Sequence, residues 1–249
     1  MTFTAAQPQV TVIIPVHNRR AYLQRCLASV AGQSYQHLQV IVVDDASSED
    51  IQATVAGVAW PAGMAIQVIR LNQNRGPGVS RETGRQQAKG AFIAYLDSDD
   101  LWHARFVETL VATLQTDPTC SMAYCQSLRY HTLPITGQEA LRNGYAVAQI
   151  LPLALLRRPW TTSACLWSFT ATQQIGPWYA GFNGEDQVYE FRAGCQQLKV
   201  VYVPEPLCYV AEGHDERLNK HGRQITHSAT AFLQQVAILE TVGGFDDIV

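Results

Sequence analysis

Four short apolar runs, each followed by a helix-like segment, constrain this chain more than any other feature. VTVIIP (Val10 to Pro15), VIVVDD (Val40 to Asp45), AIQVIRL (Ala65 to Leu71) and AFIAYL (Ala91 to Leu96) are rich in β-branched residues. They are apolar almost throughout instead of alternating. A strand covered on one face alternates; a strand covered on both does not. Between the runs come helical patterns. Asn18 is placed to cap a helix over about Arg20 to Ala31, whose Leu23, Leu27 and Val30 share a face. Ser47 or Ser48 is placed to cap a second helix with Glu49 and Asp50 in its first turn. Gly76-Pro77-Gly78 turns into a third that runs to about Lys89, and a fourth covers about His103 to Gln115. The beat predicts a parallel sheet flanked by helices on both faces, with ligands beyond the carboxyl ends of the strands.

The second half is less regular. It holds strand-like CSMAYC (Cys120 to Cys125), a polar loop around Leu133 to Gly144, apolar ACLWSF (Ala164 to Phe169), a helix through Asp186 to Ala193, and VVYVP from Val200. No Gly/Ser or Pro linker separates the halves. We expect one domain over 1–249: a first half over 8–125 whose strand ends offer a binding crevice, a second half over 126–212 that builds a second binding surface, and a loop and helical tail over 213–249.

The charge is patterned, not strong. With 18 basic and 21 acidic residues the chain carries −3, which shows no basic surplus for nucleic acid. The acids cluster where the strands end: Asp44-Asp45, and Asp97, Asp99 and Asp100 within four residues. Two carboxylates about 4 Å apart repel by about 4 kcal/mol at a surface-like dielectric. Asp97 and Asp99, at i and i+2 of an extended segment, point the same way and offer oxygens to a hard cation beside a diphosphate. Helix capping accounts for Ser98, Asp99 and Asp100 but leaves Asp97 unexplained.

The six cysteines contain no C-x-x-C pair and read as buried, reduced thiols. The opening MTFTAAQPQ has neither a basic n-region nor an apolar core, so no signal peptide is expected. YAVAQILPLALL (Tyr145 to Leu156) is too short to span a bilayer and is broken by Gln149 and Pro152. A cytoplasmic location follows, with peripheral contact at the inner membrane face left open.

Four pieces in order, VTVIIPVHNRRAYLQRCLASVAGQSY, LQVIVVDDASSED, NRGPGVSRETGRQQAKGAFIAYLDSDDLW and FNGEDQVYEFRAG, resemble the inverting family 2 glycosyltransferases of the GT-A fold. The resemblance implies an α/β GT-A (nucleotide-diphospho-sugar transferase) fold. It implies transfer of a sugar from a nucleotide-diphosphate donor, UDP-sugar foremost, to a glycan or lipid-linked acceptor with a divalent cation, Mn2+ or Mg2+. Surface polysaccharide or glycan synthesis is the expected setting, and a homodimer stays open. Pro15, His17 and Asn18 would line the nucleotide pocket, and Asp45 would bond the base. Asp97, Ser98 and Asp99 form the D-x-D region, with Asp99, then Asp97, as the metal acid; a shifted alignment gives Asp100 that role. Arg81, and less strongly Arg85, would counter the acids or the diphosphate, whereas Arg19 and Arg20 read as solvated. Asp186 would be the general base, with Glu185 in support; Asn183 capping a helix explains the same acids without catalysis. His214 would lie near the diphosphate or metal, within a lid-like cluster that includes His221. Trp102, Trp160 and Trp178 read as packing residues.

Three rivals are weighed. GPGVSRETG puts Arg81 where a dinucleotide fingerprint needs its third glycine, and it follows the wrong strand. A nucleotidyltransferase would want a basic, glycine-rich loop after the first strand, and PVHNRR contains no glycine. A sugar-nucleotide-binding protein without catalysis stays open, although acids stand at both sites.

Overall fold

The computed structural model describes residues 9–136, 139–147, 149–151, 158–180 and 184–212. The described residues form one nine-stranded sheet. In chain order the elements are β1 Val10–Val16, α1 Arg20–Ala31, β2 Leu38–Asp44, α2 Ile51–Ala56, β3 Ala65–Arg70, α3 Pro77–Gln86, β4 Phe92–Tyr95, β5 Leu101–Trp102, α4 Phe106–Thr116, β6 Met122–Tyr130 and β7 Leu141–Asn143. A 3-10 turn, Thr162–Ala164, leads into β8 Cys165–Ser168, α5 Phe169–Ile175, α6 Glu185–Cys195 and β9 Val200–Ala211.

The strand order is β3-β2-β1-β4-β8-β6-β9-β5, with β7 beside β6. The first four strands pair in parallel, as the sequence pattern requires. Beyond β4 the sheet is mixed. β8 is antiparallel to both β4 and β6, β9 runs parallel to β6, and β5 is antiparallel to β9. β6 runs through residue 125, so both halves of the chain share one sheet.

The period of two explains the two cores. Val10, Val12, Ile14 and Val40, Val42 face one side, where they pack with Leu23, Leu27 and Val30 of α1, Ile51 and Val55 of α2, and the apolar face of α4. Ile13, Ile93 and Tyr95 face the other, against Ala171 and Ile175 of α5 and Tyr189 and Ala193 of α6. Strands buried on both sides therefore carry no polar alternation. α3 lies on this second side, and Gly84 is what lets it sit down: a Cβ there would stand 2.4 Å from the Ile13 side chain.

Several local expectations need correction. Asn18 does not cap α1; Arg19 holds the cap position without a side-chain bond, and the Glu49 carboxylate accepts the Arg20 N–H at 2.9 Å instead. α2 is capped by Asp50, not by a serine, through the Ala53 N–H at 2.8 Å. Of the six free thiols, Cys120 and Cys195 are half-buried and the others buried. No described helix is long and apolar enough to cross a membrane.

Candidate active site

The carboxyl ends of β1, β2 and β4 open on one edge, and the first polar group there is a hydrogen-bonded turn pair. The His17 Nδ1–H donates to the Asp45 carbonyl at 2.7 Å, which leaves Nε2 to accept from the Asn18 amide at 3.1 Å. Asn18 Oδ1 accepts from the Ser48 N–H at 2.7 Å, and the Asn18 N–H reaches Ser47 Oγ at 3.0 Å. Asn18 and Ala46 both take left-handed φ, +50° and +57°. Such positions are costly and persist where their surroundings fix them. Asp45 is buried, and its two oxygens accept the Arg75 and Gly76 N–H groups, both at 2.8 Å. Burial pushes its carboxyl up, against those two N–H groups. Asp44 is turned away toward Arg70 and the Ser47 N–H, a structural position.

The acid loop between β4 and β5 divides its three carboxylates. Asp100 is buried, and its oxygens accept from Ser163 Oγ at 2.6 Å and the Ala211 N–H at 3.1 Å. Burial first, then Asp99 and Asp97, pushes its carboxyl well above the ordinary range. Asp99 is buried with one oxygen 3.0 Å from Arg19 Nη1. Arg19 is thus no solvated helix residue. Asp97 is the outward member, its side chain 36% exposed, with one oxygen 2.6 Å from Arg81 Nη2. Ser98 is buried between them. Trp102 fixes the loop from below: its indole N–H donates to the Ser163 carbonyl at 2.7 Å, and its ring stacks on Phe106.

Arg81 joins this loop to α6. Its side chain is 4% exposed, and its other terminal nitrogen donates to Glu185 Oε1 at 2.7 Å. Its guanidinium also lies 4.8 Å from the Trp178 ring centroid. This approach needs Gly78, where a Cβ would stand 2.0 Å from the Tyr179 carbonyl oxygen. Glu185 is buried, and burial, then Asp186, lifts its carboxyl to about 7 against the pull of Arg81. Arg85 does not face the acids; both of its bonds go to Glu82, at 2.8 Å.

Asp186 lies on the next position of α6, 24% exposed, with Oδ2 2.5 Å from Arg158 Nη1. Arg158 in turn grips both oxygens of Glu190. Thr162 Oγ1 lies 3.2 Å from Arg158 Nη2 and 3.4 Å from Asp186 Oδ2. The next residue, Ser163, belongs to the acid loop: its Oγ donates to Asp100 and accepts the Asp97 N–H at 3.1 Å. One 3-10 turn therefore touches both acid groups. Gly184, at φ +78°, holds the α6 cap. Asn183, the capping residue expected from sequence, lies outside the described residues, as do His214 and His221.

Arg158, Thr162, Ser163 and Glu190 were not singled out by sequence, and Arg19 was read as solvated. A lone Arg, Ser or Thr in an apolar or loop setting carries no spacing signal; only the fold brings them to the acids. Trp160 and Trp178 are buried in the second core, as expected of packing residues. Among the described residues no group of three or more His, Cys, Asp or Glu is arranged to hold a metal. A magnesium-like cation needs less, since it takes one or two carboxylates and fills its shell with water and phosphate. Asp97, the outward carboxylate, fits that demand with its second oxygen, while Asp99 is buried and already paired with Arg19. Asp100, with both oxygens committed inward, fits it least.

The family model for "Glycosyl transferase family 2" matches residues 11–151, more than half of the chain. A GalNAc(5)-diNAcBac-PP-undecaprenol beta-1,3-glucosyltransferase of Campylobacter jejuni is 32% identical over 93 residues, 37% of this chain and 30% of that one. A putative teichuronic acid biosynthesis glycosyltransferase, TuaG of Bacillus subtilis, is 35% identical over 96 residues, 39% of this chain and 38% of that one. The matches thus span well under half of these relatives' length. Among solved structures, S. aureus TarS in complex with UDP-GlcNAc superposes with a TM-score of 0.70 at 18% identity, covering 85% of this chain and 61% of that one. The mannosyltransferase PcManGT of Pyrobaculum calidifontis, in complex with GDP-Man and Mn2+, does so at 0.66 and 18%, covering 94% and 64%. At that identity the likeness establishes the fold, GT-A.

Proposed function

The chain belongs to glycosyl transferase family 2, and from that premise we propose that it moves a sugar from a nucleotide-diphosphate donor to an acceptor hydroxyl with inversion, in surface-glycan synthesis. One observation carries the reading. The acids after β4 and those opening α6 lie on either side of one guanidinium, Arg81, at 2.6 and 2.7 Å. A donor group and an acceptor group of carboxylates are thus held one side chain apart, as an in-line displacement between two substrates requires.

In this reading Pro15, His17 and Asn18 line the nucleotide pocket, and Asp45 accepts a hydrogen bond from the base. Ser98 and Asp97 flank the ribose and diphosphate. A divalent cation, Mn2+ or Mg2+, held by Asp97 and Asp99 would supply positive charge beside the departing diphosphate. Arg81 is placed to share that task. Asp186 takes the proton of the acceptor hydroxyl as its oxygen forms the new bond to the anomeric carbon. The old bond to the diphosphate oxygen breaks, and its electron pair leaves with the diphosphate. With the base on α6 and the leaving diphosphate at the acid loop, the acceptor oxygen attacks the anomeric carbon on the face opposite the departing group, hence inversion. The solved relatives that hold UDP-GlcNAc and GDP-Man with Mn2+ support a nucleotide-sugar donor. UDP-sugar is our first choice, with a glycan or lipid-linked acceptor.

Thermal unfolding with UDP-, GDP- and TDP-sugars, with and without manganese, tests the donor side. A ligand at about a hundred times its Kd adds about 2.7 kcal/mol to stability. We expect a clear rise for one nucleotide class, larger with manganese and lost in Asp45→Ala. Unchanged melting with every nucleotide would sink the reading.

A further inference from the structure

We propose that Arg158 is a positioning residue for the acceptor-side base, holding Asp186 on one arm of its guanidinium while Glu190 anchors the other. The inference rests on the assignment of Asp186 as base and adds what aims that base.

Arg158 precedes β8 in a stretch that no motif marks, and it meets three side chains. Nη1 lies 2.5 Å from Asp186 Oδ2. Nε and Nη2 reach the two oxygens of Glu190 at 2.6 and 2.5 Å, the fork geometry peculiar to Arg. Nη2 also donates to Thr162 Oγ1 at 3.2 Å. Asp186 and Glu190 are four residues apart on α6, one turn, so they stack on one helix face. The division of labour follows from exposure. The Glu190 side chain is 5% exposed and bound through both oxygens, which suits an anchor. Asp186, 24% exposed, gives Arg158 only Oδ2, while Oδ1 accepts its neighbour's backbone N–H, from Gln187, at 2.8 Å.

Four charged groups act on Asp186: Arg158 and Arg81 with positive charge, Glu185 and Glu190 with negative. Burial alone would push its carboxyl up. Arg158 first, then Arg81, outweighs burial and holds it below the ordinary carboxylate range. A base must be ionised before it can accept a proton, and Arg158 keeps Asp186 in that form. The two charges of Arg158 and Glu190 alone would balance without Asp186. The arrangement therefore spends a buried cation on two carboxylates, one to fix it and one to be fixed.

The test uses selectively 13C-labelled aspartate, with the Asp186 carboxyl signal assigned by its loss in Asp186→Asn. Hydrolysis of UDP-GlcNAc, UDP-glucose and GDP-mannose is followed in parallel. In Arg158→Gln we expect the Asp186 titration, and the acid limb of the kcat profile, to move to higher pH. We expect kcat to fall about 10- to 100-fold, the cost of a misaimed group, with donor KM within about twofold. Arg158→Lys should restore the titration but not kcat, because an ammonium cannot fork. Because Arg158→Gln leaves Glu190 buried without a counter-charge, the Arg158→Gln/Glu190→Gln pair provides a charge-balanced background with the same expectation. An Asp186 titration unchanged in both variants would overturn the inference, as would full kcat in Arg158→Lys. Those results with an inert Asp186→Asn would remove Arg158 alone. Full turnover in Asp186→Asn would remove the base assignment, and the role of Arg158 with it.

Discussion

The two acid groups solve the same problem by different means. In each, an outward carboxylate stands by buried ones: Asp97 by Asp99 and Asp100 after β4, Asp186 by Glu185 at the start of α6. On the β4 side Asp100 is held by neutral donors, the Ser163 hydroxyl and the Ala211 N–H, whereas Asp99 and Asp97 meet Arg19 and Arg81. On the α6 side every strong contact to a side chain is a guanidinium, Arg81 for Glu185 and Arg158 for Asp186. Neutral donors fix position and leave charge to burial, so Asp100 is pushed up strongly. Cations fix position and charge together, which is why Asp186 stays low although burial opposes it. On the loop the cations sit on the outer two acids, Arg81 on Asp97 and Arg19 on Asp99, and the inward Asp100 is placed without a side-chain counter-ion. A helix start that must present an ionised base gains from a fixed one.

Breaking the comparison at the outward acid of α6 should have the largest effect. Asp186→Asn should lower kcat by about 10²- to 10⁴-fold, the usual contribution of a positioned base, while nucleotide-induced thermal shifts persist. Loss of nucleotide binding in that variant would place Asp186 on the donor side instead. Arg81→Met leaves Asp97 and Glu185 without their shared cation, and removing one partner of a buried ion pair costs about 3–5 kcal/mol. Urea unfolding measures it; a loss under about 1 kcal/mol would mean that the two carboxylates find other partners.

The Glu185 carboxyl sharpens the comparison through pH. Its value rises from 4.5 to about 7 in the folded chain. The folded state then binds the extra proton between those values, so stability is fully present below 4.5 and falls as pH climbs through about 7. The loss reaches about 3 kcal/mol. Glu185→Gln should flatten the unfolding free energy across that window, and an unaltered slope would show that another group sets it. The smallest change is on the neutral side. Ser163→Ala strips a hydroxyl that serves Asp97 and Asp100 together, for about 1–3 kcal/mol. Its effect should shrink in acid, where a protonated Asp100 no longer needs that donor.

Sequence and structure part company at particular residues. β1, β2 and β4 were legible because burial on both faces writes an apolar run; β3, at the sheet edge, is partly exposed along its length, so its apolar run overstated its burial. Asp45, Asp97 and Asp186 could be named because each ends a strand or opens a helix inside a recognisable motif. The helix caps were misplaced: Asn18 and Ser48 have capping chemistry, but their side chains bond each other across the β1 and β2 ends. Arg19 reads as solvent-facing until Asp99, 80 positions later, is brought against it.

What the chain alone determined is periodic or local: which segments are strands and where acids gather at their ends. What only the tertiary structure decided is pairing over distance. Arg81 meets Glu185 across 104 positions and Ala211 meets Asp100 across 111. Periodicity is a property of neighbours and survives in one dimension; the partner of a buried charge is set by which surfaces the sheet brings together, and no spacing records it.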